Sequence, residues 1–401
     1  MKRKLTVGIC FAMFSMLLIT GCKKNNKGEI QLTADTDGFV SATASGSFTK
    51  AELQALAIAK GYASYAPLIQ YDVDFYKIVY QTKFKGKLTE VSGLLAIPKN
   101  TPVPPPLLSA QHGTMFRDAD APSNFPGAFT GFELFASAGF MTVIPDNIGL
   151  GVSKDIPQPY YDLGSSGLTV ADMIVAVKYY LKQKSISISN KLFLVGYSEG
   201  GYVTMAAEKE IETNPAHQLT LTAAAAGAGG YDITGMLAKV AKAPSYVDPS
   251  FFGLFIQGYN STYDFNRPLT DFFQSTYAST LPQLLDGSKT SDQVNAGLTT
   301  DLSAFFNPAF YQNLLNPSAE TAFKTKVAEN SFPNWYPQGK TRLYHGTADQ
   351  DVFFETSQST YTKFITAGSK QLEFIPIPNG THETSVAPMM LNALPWFISL
   401  K

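Results

Sequence analysis

Short apolar runs alternating with amphipathic stretches set the rhythm of this chain. Leu107 to Ala110, Phe140 to Ile144, Leu192 to Val195 and Leu219 to Ala226 read as strands. Between them, Phe132 to Ala138, Val170 to Leu181 and Gly201 to Thr213 read as helices, the second with Ile174, Val177 and Leu181 on one face. The rhythm returns with Leu343 to His345, a helix around Ser357 to Ile365, a strand at Leu372 to Ile377 and a last helix from Thr384 to Ile398. Such alternation predicts a mostly parallel sheet covered by helices on both faces, the α/β class. Ahead of it, Val73 to Phe84 and Leu88 to Pro98 flank the turn Lys85-Gly86-Lys87 and predict an antiparallel hairpin. Thr49-Lys50-Ala51-Glu52 is a capping box, and Leu53, Leu56 and Ala57 follow at helical spacing. The polar stretch before it, residues 22–47, has too few apolar side chains to bury and reads as a flexible tether.

The rhythm breaks over residues 233–338. Aromatic rings crowd this stretch (Phe251, Phe252, Phe255, Phe272, Phe273, Phe305 and Phe306 among them), and β-branched runs are few. It predicts a helical cap inserted into a core made of residues 48–232 and 339–401, with most rings serving the cap's own core. An insert at the C-terminal end of a strand sits over the site of an open α/β sheet, so it is placed to act as a lid.

Gly196-Tyr197-Ser198-Glu199-Gly200 follows the strand Leu192 to Val195 and precedes a helix. This is the strand–turn–helix context in which G-x-S-x-G presents a serine nucleophile. A serine of ordinary acidity needs a base, and in this architecture the base follows it in the chain. The chain has four histidines, and that scarcity narrows the choice. His112 precedes Ser198, His217 lies at the far end of the helix that begins at the serine, and His345 ends a strand. His382, in the loop after the last strand, remains. The acid that orients it is expected at Asp349 in His345-Gly346-Thr347-Ala348-Asp349, with Asp351 and Asp232 as the other candidates. The oxyanion needs two N–H donors. One is expected from the backbone of Glu199, the other from the loop after Leu107 to Ala110, where Gly113 allows close approach and Thr114 carries the donor.

The N-terminus reads differently. Lys2, Arg3 and Lys4 precede an apolar run from Leu5 to Thr20, about 16 residues and short of the ~20 that span a bilayer. Ile19-Thr20-Gly21-Cys22 then resembles a bacterial lipobox. That resemblance implies removal of residues 1–21, lipidation of Cys22, export, and anchoring to a bacterial membrane on its periplasmic or outer side. The other cysteine, Cys10, leaves with the signal, so no cysteine-based metal site or disulfide scaffold is available. Lys and Arg number 31 against 32 Asp and Glu, which leaves no field to attract nucleic acid. No zinc-binding spacing and no phosphate-binding glycine motif occurs, so neither metal nor cofactor is expected.

Taken together, Val91 to Pro98, Ser109 to Thr114, Pro145 to Gly151, Gly196 to Gly201, His345 to Asp349 and His382 resemble, in order, the α/β-hydrolases of the secretory lipase (lipase A type) family. The resemblance implies an α/β-hydrolase fold with a helical cap, a Ser198, Asp349 and His382 triad, and metal-free hydrolysis of small-molecule esters. A serine peptidase of the same fold and a non-catalytic ligand-binding lipoprotein are the competing readings. The former usually needs a larger gating domain, and the latter has no use for a serine, acid, histidine and oxyanion loop in order. An apolar pocket roofed by residues 233–338, taking short to medium acyl chains, is the expected substrate site.

Overall fold

The computed structural model describes residues 36–401. The expected signal, lipobox and first part of the tether, Cys22 included, lie outside those residues. Nine strands form one sheet: β1 (Phe39–Phe48), β2 (Val73–Phe84), β3 (Lys87–Pro98), β4 (Leu107–Gln111), β5 (Met141–Pro145), β6 (Leu192–Tyr197), β7 (Ala223–Gly227), β8 (Lys340–Gly346) and β9 (Leu372–Ile377). Their order across the sheet is β1-β2-β3-β5-β4-β6-β7-β8-β9. The first three pairings are antiparallel, and every pairing from β5 to β9 is parallel.

The predicted hairpin forms in full, with Phe84 opposite Lys87 and Val73 opposite Pro98. The tether, expected to run to residue 47, gives way to β1 at Phe39. That strand pairs along the outer edge of β2, from Phe39 opposite Tyr80 to Phe48 opposite Val73. It escapes a reading by hydrophobic pattern because an edge strand is held largely by its backbone. Its end rings pack inward, Phe39 against Tyr179 and Tyr180 and Phe48 against Phe75 and Phe125, with the small Ala42 between them.

Helix α1 (Lys50–Ala59) starts at the capping box of Thr49 and Glu52 and buries Leu53 and Ala57. Next come α2 (Leu134–Ser137), α3 (Leu163–Gln183) and α4 (Glu199–Thr213). The central strands β4 to β7 are buried along their whole length, as a sheet covered on both faces requires. Between β7 and β8 the chain runs through α5 (Ile233–Val240), α6 (Pro249–Thr262), α7 (Ser275–Leu284), α8 (Ser291–Asn295), α9 (Leu302–Phe305), α10 (Pro308–Leu315) and α11 (Thr321–Glu329). Phe272, Phe273, Phe305, Phe306 and Phe310 are all buried and pack against one another, mostly tilted or edge-on. The chain closes with α12 (Phe354–Ala367) and α13 (Val386–Ser399). No helix among the described residues is long and apolar enough to cross a membrane.

Candidate active site

Ser198 stands between β6 and α4 with φ 60° and ψ −129°. A side chain other than glycine adopts this conformation only under strain, and the surrounding packing holds it there. The turn depends on glycines. A Cβ on Gly200 would be driven into the Gln111 carbonyl, and one on Gly201 into the Gly227 carbonyl. Without those side chains α4 closes on β4 and β7, and the turn projects Ser198 Oγ from the C-terminal edge of the sheet.

His382 meets the serine from the loop between β9 and α13. Its Nε2 lies 2.8 Å from Ser198 Oγ and its Nδ1 2.7 Å from Asp349 Oδ2. With Nδ1–H donated to the carboxylate, Nε2 is left to accept the serine hydroxyl. The His382 carbonyl also accepts the Tyr197 hydroxyl at 2.7 Å, which ties this loop to the end of β6. Asp349, on the loop after β8, is held from four directions. Its Oδ1 accepts the N–H groups of Asp351 and Val352, both at 2.9 Å. Its Oδ2 lies within reach of both His382 and His345, the latter at 3.1 Å. Burial alone would push this carboxyl up, but hydrogen bonds from the two imidazoles hold it well below the usual carboxylate range. Burial pulls His382 down, while the Asp349 hydrogen bond and the charges of Asp349, Asp351 and Glu383 outweigh it and raise the imidazole above its ordinary value.

The other acids and histidines take different places. Asp232 caps α5 through the Gly235 N–H at 2.9 Å and accepts the Ser359 hydroxyl at 2.9 Å. Asp351 lies beside Asp349 and His382, with ligand-type atoms of the three within 4.8 Å of one another. Both Asp349 oxygens and both His382 nitrogens are already engaged by protein partners. Asp351 itself is pushed up to about 7 by burial, against the pull of His382 and with the repulsion of Asp248, Asp349 and Glu383. His217 is bound to Glu210 at 2.9 Å, beyond the end of α4. His112 packs its ring against the carbonyls of Gly113 and Asp146.

Gly113 faces the serine: a Cβ there would lie 3.6 Å from Ser198 Cβ. Gly113, Thr114, Ser198 and His382 line one cleft of about 500 Å³. The N–H of Glu199 opens α4, and the first N–H groups of a helix have no intrahelical partner. The Glu199 N–H and the Gly113-Thr114 turn thus lie on two sides of Ser198.

The walls of this cleft differ from the expected roof of cap rings. They are built by Tyr62 and Tyr65 before β2, by Thr130 and Phe132, and by Val386 and Met390 of α13. The insert contributes only Phe251 and Ser291. Its other rings are spent on its own core and on a second, apolar cavity of about 60 Å³ lined by Tyr160, Ile233, Leu237, Phe251, Phe255 and Val352. Sequence reasoning also passed over His345. It is fully buried, with Nδ1 2.6 Å from Ser357 Oγ and Nε2 2.8 Å from the Val352 carbonyl. Since a carbonyl only accepts, Nε2 carries the proton, and the same N–H reaches Asp349. The spacing of four residues between His345 and Asp349 was the only available sign.

A family model described as secretory lipase matches residues 132–399. Among solved structures, a Legionella pneumophila protein superposes with a TM-score of 0.81 at 24% identity, over 90% of this chain and 98% of that one. The rice cell wall degrading esterase LipA from Xanthomonas oryzae superposes with a TM-score of 0.76 at 23% identity, over 91% and 97%. Candida antarctica lipase A in its closed state gives 0.64 at 17%, over 91% and 81%. These likenesses establish the α/β-hydrolase fold. No curated protein sequence matches the chain.

Proposed function

The chain belongs to the secretory lipase family, and from that premise we propose that it cleaves carboxylic esters with Ser198 as nucleophile, His382 as base and Asp349 as the acid that orients it. The observation that carries this is the unbroken line from Ser198 Oγ through His382 to Asp349, at 2.8 and 2.7 Å. Ser198 Oγ attacks the ester carbonyl carbon as His382 Nε2 takes its proton. The carbonyl oxygen becomes an oxyanion facing the N–H of Glu199 and those of the Gly113-Thr114 turn, in a site where preorganised donors act strongly. His382 then returns the proton to the departing alcohol, leaving an acyl group on Ser198. A water deprotonated by the same nitrogen releases the carboxylic acid.

The reading extends to the ends of the chain. Residues 1–21 act as an export signal, Cys22 carries the lipid, and a tether running to about residue 38 joins it to the sheet. Residues 233–338 form the cap of the core. A fluorophosphonate that labels Ser198, together with turnover of chromogenic esters, tests the mechanism. Labelling that persists in Ser198→Ala, or a peptide amide cleaved as fast as the best ester, would overturn it.

A further inference from the structure

The carboxyl of Glu199 has no part in the chemistry above, yet it is buried one residue from the nucleophile. Glu199 is 7% exposed. Its Oε2 finds no hydrogen-bond partner among the described residues, and the same holds for Asn147 Oδ1 and Ser165 Oγ. All three residues line one small cavity, together with Tyr160. That cavity lies directly behind the oxyanion loop. Asn147 Nδ2 is 3.4 Å from His112 Nε2, and the other nitrogen of that ring donates to the Gly113 carbonyl at 2.7 Å. The Tyr160 hydroxyl is 2.7 Å from Thr114 Oγ1. The Thr114 hydroxyl in turn acts on the Glu199 carboxyl. The two sides of the oxyanion site, the start of α4 and the Gly113-Thr114 turn, therefore rest on one polar cluster.

We propose that the Glu199 side chain, buried in this cavity without a cation, is a positioning residue that props Thr114 against the start of α4 and so supports the oxyanion site. The inference rests on the ester hydrolase reading. A carboxylate here would be a buried charge without a counter-ion, because no cation pairs with Glu199 among the described residues. Burial pushes the group up to about 8, with the Thr114 hydroxyl drawing it partly back. The charged groups around the cavity are acids: Asp162, which accepts the Ser165 N–H at 2.8 Å, Asp146, next to Asn147, and Asp349. Tyr160 and Tyr161, from the loop before α3, have phenols raised by burial and stay neutral. Helix α3 itself lines the cavity with Ser165, Ser166 and Thr169, and the loop after β5 with Asn147 and Ile148. His112 stands on the loop after β4, and Asp349 and His382 on the loops after β8 and β9. Once ionised, Glu199 would leave an unpaired charge buried in the cluster. It would also set a negative charge beside the position where the oxyanion forms, and both effects lower turnover.

The test compares wild type, Glu199→Gln and Glu199→Ala on a soluble short-chain ester from pH 5 to 10, with thermal unfolding measured over the same range. Wild-type kcat is expected to fall above about pH 8, and Glu199→Gln to lack that fall. Glu199→Ala should lose about tenfold or more in kcat with KM within about twofold, as expected when only transition-state support is removed. Unfolding supplies a readout independent of catalysis. A carboxyl whose folded pKa is raised makes the native chain hold a proton that the unfolded chain releases, so stability falls as pH rises from the ordinary carboxylate range towards 8. The Tm of Glu199→Gln relative to wild type should therefore climb between pH 5 and 8. An alkaline fall retained in Glu199→Gln, a wild-type kcat in Glu199→Ala, or a Tm difference that does not change with pH each overturns the proposal while leaving the hydrolase reading intact. No wild-type turnover at any pH overturns that reading, and the proposal with it.

Discussion

His345 and His382 meet on one atom: both rings reach Asp349 Oδ2, at 3.1 and 2.7 Å. His345 is locked in place by Ser357 and the Val352 carbonyl, so it fixes the carboxylate from behind while His382 reaches on to Ser198 Oγ. His345→Ala should lower kcat by about tenfold or more, short of the ~10⁴ that follows loss of the acid's charge. It should also destabilise the fold by about 1–3 kcal/mol, since buried partners are left unsatisfied. Ester kinetics and thermal unfolding together check this, and an unchanged kcat would show that His382 and the Asp351 and Val352 N–H groups hold Asp349 unaided.

Substitution of the three residues in line has a graded outcome. Ser198→Ala and His382→Ala should reduce turnover to background with unfolding curves that still show a folded protein. Asp349→Asn should cost about 10⁴ in kcat, because the amide favours the wrong imidazole tautomer. Asp232→Asn should leave kcat near wild type, as Asp232 caps α5 and binds Ser359. Activity lost in Asp232→Asn and kept in Asp349→Asn would reassign the acid.

The pH profile follows from the same contacts. In the proposed mechanism the base works as neutral imidazole, and Asp349, Asp351 and Glu383 raise His382 above its ordinary value. The acid limb of kcat/KM should therefore lie above the unperturbed ~6.5, with the rate rising as pH passes through it. Asp351→Asn removes one negative neighbour, so the limb should move to lower pH while the plateau stays within about threefold. A limb that stays fixed in Asp351→Asn would mean that this carboxyl is already neutral where His382 titrates.

Much of this arrangement was legible before any coordinates, and the parts that were not share a cause. Two runs rich in β-branched, aliphatic and aromatic residues around Lys85-Gly86-Lys87 marked the β2–β3 hairpin, and Thr49 with Glu52 marked the start of α1. Chain order together with position in the fold paired Ser198 with His382 across 184 positions, because few histidines competed. Strand β1 was invisible because its pairing lies in the backbone. The contact of His345 with Asp349 and the inward turn of the Glu199 side chain depend on loop conformation, which composition does not encode. The cleft walls were misplaced for a related reason. Counting rings in residues 233–338 located a hydrophobic core, and a core absorbs the rings that a binding site would need.

The N-terminal expectation is tested by one atom. Cys22→Ser should move the protein from the membrane fraction to the soluble or unprocessed pool, with kcat in detergent unchanged. Each buried CH₂ of an attached chain contributes ~0.8 kcal/mol, so several acyl chains make release slow. Wild-type protein found wholly in the soluble fraction would refute the anchor.

Phe251 is the residue on which chain-length preference should turn. It lines both the 500 Å³ cleft that holds Ser198 and the 60 Å³ apolar cavity beneath the cap, and its ring stacks on Phe116 at 6.0 Å. An acyl chain bound on the Ser198 side therefore meets this ring before it reaches the inner cavity. Phe251→Ala should join the two spaces and shift the optimum to longer chains. Each further buried methylene is worth ~0.8 kcal/mol, or about fourfold in kcat/KM, until the enlarged site is full. Phe272→Ala provides the contrast. That ring is fully buried in the cap's own core, so its loss should cost about 3–5 kcal/mol of stability and leave the optimum where it was. The measurement is kcat/KM over a graded series of esters for the three proteins, with unfolding alongside. If Phe251→Ala keeps the wild-type profile, the inner cavity takes no part in binding the acyl chain.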